Sequence, residues 1–402
     1  MTAAVATAKL AALMATAVIV DAVRTAIAKR NGALAGWHPV DLAAETLRAL
    51  VDRNGLDPAA IEDVILGCVC QTGEQALNVG RNAALAAGLP ESVTGTTIDR
   101  QCGSSQQALH FAAQGVMAGA YEVVIAAGVE SMSRVPMGAT VVNGPGKPFG
   151  PRMTQRYQPV GGLVPQGLAA EMVADQWNLS RQALDAYSLE SHRRAAAAAA
   201  EGRFDREIVP VVVNTDRGKR EFRADDGIRS GTSLEALARL QPSFTTGGRI
   251  TAGNSCQMSD GAAAVLVMSE ERAARMGLTP RARFVSFAVA GVDPVLMLTG
   301  AVPATAAALE RAALDVDALD VIEVNEAFAA VVLAWAHDLE ADLAKVNVNG
   351  GAVALGHPLG ASGVRMTATL LNELERTHGR FGLQTMCEGG GMANATVIER
   401  LG

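Results

Sequence analysis

Residues 95–119 read "GTTIDRQCGSSQQALHFAAQGVMAG". The β-branched run before the cysteine predicts a strand, and the apolar spacing after it predicts a helix. Cys102 therefore falls where a strand turns into a helix, flanked by Gly103, Ser104 and Ser105, which leave a sulfur approachable. Unpaired N–H groups and the positive end of a helix stabilise thiolate, so the thiol is expected to titrate below its free value of about 8.5. On this evidence Cys102 is either a nucleophile or a buried structural cysteine.

The strand–helix step repeats on both sides. "AVIVDAV" (17–23), "IEDVILGCVC" (61–70) and "EVVIAAGVE" (122–130) predict strands. "HPVDLAAETLRALVDRNG" (38–55) and "ALNVGRNAALAAG" (76–88) predict helices, the first with Asp41 as N-cap and Gly55 as its stop. Alternation with apolar strands implies a mixed or parallel sheet covered by helices. From about 131 the texture becomes rich in Pro, Gly and Arg, then helical over 167–202. The stretch 203–229 mixes seven basic residues with acids. Elements over 281–402 then echo the order of those over 17–130. This predicts two similar α/β halves with an insertion. The boundaries read as an N-terminal extension at 1–15, a first half at 16–130 plus 258–279, an inserted segment at 131–257, and a second half at 280–402.

The 402 residues are 49% hydrophobic but only 4% aromatic, so the interior is built of Ala, Val, Leu and Ile. A formal charge of −7 argues against nucleic-acid binding. No apolar run is long enough to span a bilayer. "LAALMATAVIV" (10–20) resembles a signal-peptide core, yet only one lysine precedes it and no cleavage-like segment follows. Five cysteines without a framework suit a reducing, cytoplasmic setting. Cys68 and Cys70 lack a second pair at zinc spacing, so no metal site is expected.

Three further segments carry candidate chemistry. In "VNEAFA" (324–329), Asn325 is either a helix N-cap or an amide that fixes a water or a carbonyl oxygen, with Glu326 starting the helix. In "NVNGGAVALGHPLGASG" (347–363), His357 sits in a cage of glycines. In "TMCEGGGMAN" (385–394), Cys387 ends a strand and opens onto glycines whose N–H groups can serve an oxyanion. Ligand sites in α/β sheets gather at strand carboxyl ends. Two thiols with an imidazole and a carboxamide suit carbon–carbon bond exchange on thioesters. One sulfur carries the acyl group, the other moves a proton at the α-carbon, and N–H donors hold the oxyanion.

At these residues the sequence resembles the thiolase family over nearly its whole length. The motifs run from "VIVDAVRTAIAKRNGAL" (18–34) through "GVESMS" (128–133), "TAGNSCQMSDGAAA" (251–264), "NEAFA" (325–329) and "GGAVALGHPLGASG" (350–363) to "CEGGGMANATVIER" (387–400). The resemblance implies the thiolase fold: paired βαβαβαββ halves in an α/β/α/β/α layered core, with an inserted loop domain that binds coenzyme A. It implies a homodimer or homotetramer acting on acyl-CoA thioesters, with coenzyme A as substrate and no other cofactor.

By resemblance, Cys102 is the acyl-carrying nucleophile and Cys387 the acid/base. His357 activates the nucleophile and helps hold the thioester oxygen, Asn325 positions a water in that oxyanion hole, and Gly389 supplies the backbone donor of a second hole with the Cys102 N–H. Arg229 lies near the adenine of coenzyme A, Phe244 lines the pantetheine channel, and Met297 lines the acyl pocket. Two departures also bear on binding. Cys256 stands where many relatives carry a pantetheine-contacting serine. Pro165-Gln166 stands where synthetic acetoacetyl-CoA thiolases carry His-Met, which favours degradation of a 3-ketoacyl-CoA over the biosynthetic reaction. An inactive lipid-binding relative is the non-enzymatic alternative, and retention of Cys102, Asn325, His357 and Cys387 speaks against it.

Overall fold

The computed structural model describes residues 15–142, 144–216 and 218–402. Most of the proposed N-terminal extension, residues 1–14, therefore lies outside the described residues.

The first half contains β1 (Ala17–Thr25), α1 (Pro39–Asn54), β2 (Asp63–Gly67), α2 (Val79–Ala86), β3 (Thr94–Ile98), α3 (Ser104–Met117) and β4 (Val123–Ser131). The chain then leaves the core and includes α4 (Gln166–Gln176) and α5 (Arg181–Ala200) before returning as β5 (Ser259–Ser269). The second half contains β6 (Ala282–Gly291), α6 (Ala301–Ala312), β7 (Val321–Val324), α7 (Ala329–Asp338), α8 (Ser362–Thr377), β8 (Phe381–Glu388) and β9 (Met392–Arg400).

The strands run β3-β2-β4-β5-β1 in the first half and β7-β8-β9-β6 in the second. Val346 makes a single parallel bridge to Ile322 in β7, where β3 stands in the first half. The two orders are therefore the same. The large departure comes between the last two strands of each half. In the first half the segment 132–258 joins β4 to β5, and in the second the glycines 389–391 join β8 to β9.

The layers are not separate sheets throughout. Val18 and Ile19 of β1 pair with Arg283 and Ala282 of β6, which joins the halves into one eleven-stranded sheet. Elsewhere α3 and α8 lie between the halves. Leu109 and Val116 of α3 pack in one buried cluster with Val364, Leu370 and Leu371 of α8, Ile65 and Val124 of the first half, and Val321 and Ile398 of the second. The helices approach so closely that a β-carbon on Gly363 would lie 2.2 Å from the Gln106 nitrogen. Helices α1 and α2 cover the far face of the first half, and α6 and α7 that of the second. Every residue of β5 is buried. At about 1.5–3 kcal/mol for each Val or Leu removed from water, such strands provide much of the driving force for folding.

Two local expectations are corrected. The N-cap of α1 is His38, whose ring accepts from the Val40 N–H, and Asp41 lies inside the first turn. Pro39 sets this start, because proline suits the first helical position. Helix α7 begins at Ala329 with Phe328 as N-cap. Neither Asn325 nor Glu326 serves its terminus, because both lie before the cap position.

The insertion is anchored by charge as well as apolar packing. Arg24 of β1 is fully buried and pairs with Glu207 at 2.6 Å and Asp225 at 2.7 Å. Removing one partner of such a buried cluster would cost about 3–5 kcal/mol.

Candidate active site

The turn from β3 to α3 is held in an unusual shape. Gln101 has a positive φ of 49°, rare for a residue with a side chain. Asp99 accepts from its N–H at 2.6 Å. Ser104 donates to the Gln101 carbonyl at 2.6 Å and accepts from the Arg100 N–H at 2.9 Å. These bonds stabilise the sparsely populated conformation and present Cys102 just before the helix.

Cys387 approaches from β8, opposite Ala393 of β9. Gly390 and Gly391 have φ of 86° and 78°, which lets the connection turn within three residues. The Gly389 backbone and the Gln166 side chain both favour the charged form of Cys102. The two sulfurs are electrostatic neighbours: a charge on Cys102 pushes the Cys387 thiol up, and Cys256 acts on it in the same direction. Cys256 in turn feels Cys102. The Cys256 N–H donates to the Ala327 carbonyl at 3.0 Å, and Ala327 packs in one cluster with Cys387.

The expectation of a low Cys102 pKa is overturned. Burial and, second, the nearby Glu388 push the thiol up to about 12, against the donors from Gly389, Gln166 and its own N–H. Cys102 is 5% exposed, and loss of water around the anion outweighs the helix end. Cys387 is pushed well above the ordinary thiol range, first by burial and then by Cys102. Charge on one sulfur therefore opposes charge on the other, and the resting pair is neutral.

His357 comes from the loop between Val346 and α8. Its Nδ1 lies 2.6 Å from the Ser362 hydroxyl, which donates onward to the Pro358 carbonyl at 2.9 Å. The hydroxyl proton is committed, so Nδ1 carries the imidazole hydrogen and Nε2 presents a lone pair. Asn325 Nδ2 faces Nε2 at 3.4 Å, and Asn325 Oδ1 is buried without a partner. Burial and the Arg365 charge hold His357 near 3, hence neutral. The His357 N–H donates to the Gln257 carbonyl at 3.0 Å, placing it beside the segment that carries Cys256.

Two buried carboxylates brace this loop. Glu130, at the end of β4, accepts from the N–H groups of Val69, Cys70 and Gly360 and from Gln75 Nε2, at 2.8–3.1 Å. Glu326 accepts from Tyr187, Ser191, Asn347 and the Val353 N–H, joining α5 of the insertion to the approach to His357. Sequence reasoning missed both as braces. A glutamate in an apolar strand, "VVIAAGVE", is the visible signal, because a charge is not buried there without donors.

The other expected residues divide. Gln166 lies at the glycine turn, its Nε2 3.2 Å from where a β-carbon on Gly389 would sit, and it favours the charged form of Cys102. Met297 is 7% exposed and belongs to the apolar cluster of Cys387, Ala327 and Phe328. Phe244 is 43% exposed and meets Phe328 edge-on, with ring centres 6.1 Å apart. Arg229 is exposed on the insertion, its backbone N–H donating to His192, and no described contact joins it to the sulfurs. Among the described residues, all five cysteines are free, no group of three or more ligating side chains is placed to hold a metal, and no helix is long and apolar enough to cross a membrane.

Residues 17–271 match the family described as thiolase, N-terminal domain, and residues 278–400 match thiolase, C-terminal domain. The chain is 51% identical to the steroid 3-ketoacyl-CoA thiolase FadA6 of Mycobacterium tuberculosis, over 97% of this chain and 95% of that one. It is 47% identical to a 3-ketoacyl-CoA thiolase of Photobacterium profundum, over 96% and 99% of the two chains. The crystal structure of the Bacillus anthracis acetyl-CoA acetyltransferase superposes with a TM-score of 0.89 at 40% identity, covering 96% of this chain and 99% of that one.

Proposed function

The chain belongs to the thiolase family, and on that premise we propose that it is a 3-ketoacyl-CoA thiolase, an acyltransferase of lipid degradation. The observation that supports the mechanism is the close contact of the two cysteine-bearing turns: a β-carbon on Gly103 would lie 2.0 Å from Glu388 Oε1, and one on Gly389 would lie 3.1 Å from Gln101 Oε1.

Cys102 gives its proton to the Nε2 lone pair of His357 as the sulfur attacks C3 of the 3-ketoacyl-CoA. The Cys102 and Gly389 N–H groups hold the oxyanion that forms there. The C2–C3 bond breaks, leaving an acyl group on Cys102 and the enolate of acetyl-CoA. The imidazolium and a water held by Asn325 Oδ1 stabilise the enolate oxygen, which gives that unpartnered atom a role. The Cys387 thiol protonates the α-carbon. The Cys387 thiolate then takes the proton of incoming coenzyme A, whose sulfur attacks the acyl carbonyl and releases shortened acyl-CoA and Cys102. The imidazolium returns its proton to Cys102 as the cycle closes. Because only one sulfur needs to be ionised at a time, the mutual pKa elevation suits the alternation.

Coenzyme A enters as co-substrate, and the chemistry calls for no other cofactor. The exposed Arg229 and Phe244 support assigning the inserted segment, about 131–257, to its binding. Free cysteines support a cytoplasmic setting. The edge strand β3, with Leu77 nearby at 90% exposure, supports a homodimer or a tetramer built from it.

The test is a thiolysis assay across acyl lengths and ring-bearing acyl groups, with mass spectrometry of the trapped acyl-enzyme. Wild type should carry the acyl group on Cys102, and Cys102→Ala should lose about 10⁴-fold or more in turnover. Cleavage near wild-type rate in Cys102→Ala overturns the assignment. Activity confined to acetoacetyl-CoA would replace degradation with the biosynthetic reading.

A further inference from the structure

The residue after the second cysteine is a glutamate whose placement the mechanism does not use. Glu388 is fully buried, and neither carboxyl oxygen has a hydrogen-bond partner. It lies under the nucleophile turn: a β-carbon on Gly103 would sit 2.0 Å from Oε1 of Glu388. The same point lies 2.6 Å from Oδ1 of Asn394, another buried oxygen without a donor. Asn394 turns its amide nitrogen toward the Gly103 carbonyl at 3.4 Å. Two acceptor groups thus converge beneath Gly103 without a hydrogen between them.

We propose that Glu388 is a positioning residue for the nucleophile, held as the neutral acid with its O–H donated to Asn394 Oδ1, so that no anion stands beside the Cys102 sulfur. One proton, shared between a carboxyl oxygen and Asn394 Oδ1, satisfies two of the three orphaned oxygens, and a buried carboxylate left wholly unsatisfied would cost far more. The acid also packs beneath Gly103, where any side chain would collide with it. The inference rests on reading Cys102 as the nucleophile.

The charged and titratable groups facing Glu388 are Asp99 and Arg100 of the turn, Cys102, and Cys387 on its own strand. Burial is the largest influence and holds the carboxyl near 8; Arg100 opposes it and Asp99 adds to it. Cys102 is raised by Glu388 when that group is charged. As pH rises through about 8 the acid ionises, and Cys102 becomes harder to ionise in the range where a thiol should gain reactivity. Glu388 therefore limits nucleophile formation on the alkaline side and leaves it unhindered on the acid side.

The experiment reads the titration of Cys102 rather than turnover, so its failure is distinct from failure of the proposed reaction. The intact enzyme and its Glu388→Gln and Glu388→Ala variants are alkylated with iodoacetamide, and Cys102 modification is followed by mass spectrometry from about pH 6 to pH 10. Either variant suffices if the other does not fold. The expected result is equal rates near pH 6.5 and a rate about 3- to 10-fold faster in the variant near pH 9.5. Infrared difference spectra over the same range should show a neutral carboxylic-acid carbonyl band that wild type loses on raising pH and the variant lacks. Superimposable alkylation profiles overturn the proposal. So does a variant already faster by the same factor at pH 6.5, or the absence of the acid band, since either means that Glu388 is a carboxylate throughout.

Discussion

Glu130 and Glu388 each stand at the eighth position of the strand that holds the same place in the sheet order of its half, β4 and β8. Each reaches across to a loop of the other half that leads into a central helix. Glu130 accepts from Gly360, just before α8, and Glu388 lies against Gly103, just before α3. The first has four donors and the second has none. The same fold position can thus serve as a clamp or as a tuning group, depending on the donors nearby. The connections differ with it: the half with the clamp carries the long insertion, and the half with the acid that has no donors carries the three-residue glycine turn beside the nucleophile.

This contrast can be broken by mutation. Glu130→Ala strips a carboxylate from four buried donors and should cost about 3–5 kcal/mol in urea unfolding, whereas Glu388→Gln should cost less than about 1 kcal/mol. Equal losses would mean that the two positions do the same job. A smaller effect tests whether the clamped loop serves His357. Ser362→Ala frees Nδ1 from its fixed partner and should lower kcat/KM about 10-fold with stability nearly intact, as removal of an orienting hydrogen bond does. An unchanged kcat/KM would show that the imidazole is oriented without Ser362. The smallest change is expected on the Cys102 side. Gln166→Leu removes one of several donors to the sulfur and should slow alkylation of Cys102 about 3-fold by raising its pKa further. A faster reaction would show that the side chain shields the thiol more than it stabilises the anion.

Much of the fold was legible in residue order. Alternating strand and helix patterns, the change of texture near 131 and the repeat of the first half by the second all follow from local periodicity, which burial of one face imposes. The cysteines, His357 and Asn325 were visible as polar or reactive residues in small-residue surroundings. Their partners were not. Ser362 and Gly360 look like ordinary helix-start and loop residues until His357 and Glu130 are seen beside them. Of the two readings left open for Asn325, the N-cap of α7 fails because the helix starts four residues later, at Ala329, a boundary that local spacing does not reveal. The pKa of Cys102 was misread for a related reason: the helix end is local, but the water excluded by the opposite half is not.

The sequence by itself determined which residues are available to react and the order of elements that carries them, because backbone propensity and apolar spacing act over a few residues. Only tertiary structure decided which of them meet and in what charge state. Cys102 and Cys387 come from different halves, and their ionisation depends on water exclusion and on a buried acid that neither segment specifies alone. Solvation and Coulomb interactions act through space, across hundreds of residues of chain.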